Sequence, residues 1–114
     1  MSLQSEAVAN YVRDHVRPGR PARDGKVASA TAKRFEKAFS LLPEDVLRLF
    51  LSGARNLTVV IVPDVGLPLG MSTRSQGPPD ARTYRIMIYE EQQEWPEDLF
   101  LGALLRELGH VVAQ

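Results

Sequence analysis

Cysteine is absent from the 114 residues, which excludes disulfides, thiol catalysis and thiolate metal sites and leaves His, Asp and Glu as the side chains able to hold a metal. Histidine is scarce too: His15 and His110 are the only two. No apolar run approaches the ~20 residues of a membrane span, and the opening MSLQSEAVANYV has neither a basic leader nor an apolar stretch behind it. The expectation is a cytoplasmic protein with no membrane partner. Net charge is missing as well, with 14 Lys and Arg against 14 Asp and Glu. The balance hides an uneven distribution, since residues 1–37 hold eight basic and four acidic residues and residues 38–114 hold six and ten. A nucleic-acid footprint would push the whole domain basic, so the split reads as two mutually attracting halves or as solvated faces.

What is present is ordinary for a globular chain: 44% hydrophobic and 25% charged residues in a length near the commonest domain size. A single domain over residues 1–114 is expected, with residues 1–27, a helix and a basic loop, as the section with most scope for mobility. Val8, Tyr11, Val12 and Val16 recur at three- and four-residue steps and predict a first helix that stops at Pro18-Gly19. Arg17 to Lys26, RPGRPARDGK, is rich in proline, glycine and basic residues and reads as an exposed loop. Its PGRP is close to the Gly-Arg-Pro core that minor-groove hooks insert, but Pro18 stands where such a hook has arginine, so DNA is a minor reading.

Ala28, Ala32, Phe35, Phe39 and Leu42 form the stripe of a second helix. Pro43-Glu44-Asp45 opens a third, with Val46, Leu49 and Phe50 as its apolar face and Gly53 at its end. LTVVIV, Leu57 to Val62, is a β-branched run bounded by Asn56 and Pro63 and predicts a buried strand. The following stretch holds too many prolines and glycines for a long element, with room for a short edge strand around Leu69 to Thr73. TYRIMIYEE, Thr83 to Glu91, alternates as a strand does, and Trp95-Pro96-Glu97-Asp98 opens a last helix running to the end. The order predicts an α+β fold in which a small antiparallel or mixed sheet packs against helices.

On that last helix, at about 100° per residue, Phe100, Leu101, Leu104, Leu105, Leu108, Val111 and Val112 fill one apolar arc. Arg106, Glu107, His110 and Gln114 share a narrow polar stripe, expected to face away from the sheet, and Gly102 and Gly109 lie together on a flank open to close backbone approach. A polar stripe opposite an apolar arc is what any surface helix shows. Its wording is more specific: ALLRELGHVVA resembles the active-site helix of zincin-type metallopeptidases, in which apolar residues frame H-E-x-x-H. Glu107, Gly109, His110 and the flanking Leu104, Leu105, Leu108, Val111 and Val112 match that helix, while Arg106 stands at the first histidine. The upstream order, with the Gly66 to Gly70 turn GLPLG and the strand IMIY from Ile86 to Tyr89, is similar to the minimal bacterial zincin-like family over residues 30 to 114.

The resemblance implies a zincin-like fold with the motif helix at its C-terminus, zinc as cofactor, and a peptide or protein substrate. It implies Glu107 as the catalytic general base and His110 as the second metal ligand, with Arg106 as a degenerate ligand position. A guanidinium offers only donors and stays protonated, so it cannot ligate. At about 5 Å from a 2+ ion and an effective dielectric of about 20 it opposes binding by about 6–7 kcal/mol before relaxation. The family's third ligand lies beyond the motif, and these residues run only to Gln114, four past His110. His15, among Arg13, Asp14 and Arg17, reads as a solvated helix-end residue rather than a substitute ligand.

Tight zinc binding is therefore not expected. Arg106 fills the vacated cation position, paired with Glu90, Glu91 or Glu94, or the chain is part of a longer protein that completes the centre. The functional expectations are a metallopeptidase domain with an inactive site or, alternatively, a non-catalytic module that binds a protein partner, with DNA through residues 17–26 less favoured. No nucleophile elbow, P-loop or dinucleotide fingerprint points to another enzyme class.

Overall fold

In the computed structural model, which describes residues 3–18, 29–62 and 71–113, the two β-branched runs lie side by side at the centre of one sheet. Strand β2 (Asn56–Val62) buries Leu57, Val59 and Ile61, and strand β4 (Thr83–Tyr89) buries Tyr84, Ile86 and Ile88. They pair in parallel over their whole length, Asn56 opposite Thr83 through Val62 opposite Tyr89, so the two buried rows share one face. A short β1 (Val16–Pro18) pairs in parallel with β2, and β3 (Ser72–Gln76) pairs antiparallel with β4, giving a mixed sheet in the order β1-β2-β4-β3.

Helices α1 (Leu3–His15), α2 (Ser29–Ser40), α3 (Glu44–Leu51) and α4 (Glu97–Ala113) supply the other layer. Their residues Val8, Tyr11, Val12, Phe35, Phe39, Leu47, Phe50, Phe100, Leu104, Leu108 and Val111 join the inward sheet rows in one core. Edge-to-face ring pairs knit the helices together: Tyr11 on Phe39, Phe35 on Phe100 and Phe39 on Phe50, with centroids 5.2, 5.5 and 5.7 Å apart. Truncating a buried Phe of this kind costs about 3–5 kcal/mol. No helix is long and apolar enough to cross a membrane among the described residues.

Several local expectations are corrected. The edge strand runs from Ser72 to Gln76, so it shares Ser72 and Thr73 with the expected Leu69 to Thr73 and continues past it, Leu69 and Gly70 lying outside the described residues, and β1 was not anticipated. The third helix buries Leu47 and Phe50, while Leu49 stays partly exposed. β4 stops at Tyr89, where a 3-10 turn, Glu90–Glu94, leads into α4. Gly53, at φ 82°, does terminate α3 as the sequence indicates. The basic loop beyond Pro18 and the Gly66 to Gly70 turn lie outside the described residues.

Candidate functional site

Pro96 precedes α4, whose first turn carries Glu97 and Asp98 at the positive end of the helix dipole. The helix buries Phe100, Leu101, Leu104, Leu108 and Val111, and with them Glu107. That carboxylate is the departure from the helical-wheel reading: its residue is 5% exposed and turned toward the sheet edge, not away from it. The reason is a partner on β3. Thr73 faces inward beside Ile86, and its hydroxyl donates to Glu107 Oε2 at 3.0 Å and approaches the Glu107 carbonyl at 3.5 Å. A buried carboxylate needs such a donor, because desolvation without one is costly.

His110, one turn on, brings Nε2 to 3.9 Å from the same Oε2 while its side chain remains 58% exposed. Glu107 and His110 are therefore brought together beside β3. Arg106 is not brought to them. It is exposed and lines a separate cleft of about 300 Å³ with Met71, Trp95, Asp98, Leu99, Gly102 and Ala103. Among the described residues no carboxylate forms an ion pair with Arg106, so the expected pairing with Glu90, Glu91 or Glu94 is absent. Among the described residues nothing lies within 4 Å of a Cβ at Gly102 or Gly109, so none of their backbone approaches either closely.

His15 is not a solvated helix-end residue either. Its ring stacks on Tyr11 at 4.1 Å, and Nδ1 lies 2.9 Å from the Leu57 carbonyl. Among the described residues no group of three or more His, Asp or Glu is placed to hold a metal. Among these residues His110 and Glu107 supply two donors and Arg106 none, fewer than the three protein ligands a catalytic zinc takes. What remains chemically is a carboxylate that accepts from a hydroxyl and has an imidazole 3.9 Å away, beside an edge strand. Thr73 escaped the sequence reading because its strand, STRSQ, carries no apolar pattern. Comparison with protein-family models, with curated proteins and with solved structures gives no match for this chain.

Proposed function

We propose that this chain is a zincin-type domain that does not hold zinc and that serves to bind an extended peptide along the outer edge of β3. The support for the family reading is the R-E-L-G-H helix and its position after the sheet. The observation that carries the binding reading is the contact of Thr73 with Glu107, which sets the motif glutamate against an edge strand. Strand β3 is the last in its sheet, so one row of its N–H and C=O groups has no partner strand among the described residues. Such an edge accepts an added strand, with main-chain hydrogen bonds giving affinity and neighbouring pockets reading alternate side chains. A peptide laid there passes Glu107 and His110, and the cleft of Met71, Trp95 and Leu99 offers an apolar socket with the Arg106 cation at its rim.

Two measurements test the two halves of this reading. Calorimetric zinc titration of the chain should show no tight uptake, and Arg106→His should gain weak binding by placing a second imidazole one turn from His110. Tight uptake by the unaltered chain overturns the metal-free half. For the binding half, decapeptides selected from a random display library should slow amide exchange in β3. Selection that yields no binder, or binders that leave β3 unprotected, overturns it.

A further inference from the structure

The outward face of the sheet poses a different problem. In the β3–β4 pair Arg74 stands directly opposite Arg85, and Thr58 of β2 is next to Arg85 in the same row. Like charges directly opposite one another are destabilising in a sheet. Both arginines are exposed, and among the described residues neither has a carboxylate partner. No outward position of the four strands, from Arg17 of β1 to Gln76 of β3, is Asp or Glu. Among the described residues the face is thus cationic without internal neutralisation. It is also concave: a depression of about 370 Å³ is lined by Arg74 and Arg85 together with Thr58, Gln76 and Thr83.

We infer that this depression binds the phosphate group of a small phosphomonoester, gripped between Arg74 and Arg85. Two guanidinium forks a strand apart can each present paired N–H donors to one dianion, and the Thr58 hydroxyl and the Gln76 amide add neutral donors, while the Thr83 hydroxyl donates to the Gln76 carbonyl. An anion held there converts the repulsion between the two arginines into shared attraction. Further along β4 the same face turns apolar, with Met87 beside Val60 and then Tyr89. At ~3.3 Å per residue these stand ~7 and ~13 Å from Arg85, a spacing that suits a ligand with a phosphate at one end and an apolar or planar body. The depression takes the phosphate end, and Met87 and Tyr89 lie on the sheet face beyond its lining. This face is opposite the one that carries Thr73, so the inference stands apart from the peptide reading.

The test is calorimetric titration of the full chain at fixed ionic strength with inorganic phosphate, adenosine 5′-monophosphate and a dT decamer. Saturable binding of both small probes is expected, with the nucleotide tighter and with Arg74→Gln or Arg85→Gln each weakening it by about tenfold or more. In phosphate-free buffer Arg85→Glu should raise the Tm, because it creates a cross-strand ion pair, and it should abolish the Tm rise that phosphate gives the unaltered chain. Absence of saturable binding, a nucleotide no tighter than phosphate, a decamer tighter than the nucleotide, or a lower Tm for Arg85→Glu overturns the inference.

Discussion

Thr73 and Glu107, thirty-four residues apart, are joined by a 3.0 Å hydrogen bond between hydroxyl and carboxylate, and through it the edge strand is tied to α4. Thr73→Val keeps the shape and removes the donor. The carboxylate then stays buried with one partner fewer, which should cost about 1–3 kcal/mol in urea unfolding at neutral pH. Thr73→Ser retains the hydroxyl and should recover most of that loss. Equal stability of the Val and Ser variants would mean that the hydroxyl contributes nothing.

The open surroundings of Gly102 and Gly109 carry a prediction of opposite sign. Both lie within α4, where glycine costs about 1 kcal/mol relative to alanine, and a Cβ at either meets no atom of the described residues within 4 Å. Gly102→Ala and Gly109→Ala should therefore each stabilise the protein by about 0.5–1 kcal/mol, read as a higher Tm. A lower Tm for either would show that a neighbour approaches that flank.

Length and periodicity decided which of these features could be read in advance. β2, β4, α2 and α4 each sustain an apolar pattern over at least seven residues, and all were legible. β1 is three residues long, too short for a period, and exists because Val16 finds Val59 in the parallel register. β3 contains no apolar residue, so nothing in STRSQ announces a strand until β4 lies beside it. Glu107 sits on the border of the apolar arc, where the helix alone leaves its direction open and a donor from another strand settles it. The Arg74 and Arg85 pair is invisible for the same reason, since it exists only in one register.

Tyr11 makes an alkaline prediction. Its hydroxyl is buried with no hydrogen-bond partner among the described residues, and burial pushes the phenol well above its ordinary 10.0. A folded-state pKa above the unfolded value means that the unfolded chain loses its proton first as pH rises. Stability from this group is complete below about pH 10 and declines above it. Tyr11→Phe removes the unpartnered hydroxyl while keeping the ring against Phe39, so it should stabilise by about 1 kcal/mol and flatten the decline above pH 10. An unchanged alkaline limb in denaturant titrations would remove Tyr11 as its source.

Three residues of α2 at successive three-residue steps fasten the segment that leads into α4: Thr31 to the Gln93 side chain, Arg34 to the Trp95 carbonyl and Lys37 to Glu97. Their contributions should be unequal. The pair of Lys37 and Glu97 is 3.1 Å long but about half exposed at both ends, and such pairs contribute about 0–1 kcal/mol and are screened by salt. Arg34 is partly buried, donates a charged hydrogen bond to a main-chain carbonyl and lies 5.4 Å from the Phe100 ring centroid. Removing it leaves that carbonyl without its donor. Arg34→Met should cost about 1.5–3 kcal/mol with little salt dependence, whereas Lys37→Met should cost under about 0.5 kcal/mol and nothing in high salt. Urea unfolding of both variants at low and high salt ranks them, and a larger loss for Lys37→Met would place the fastening of α4 in surface charge rather than in the arginine clamp.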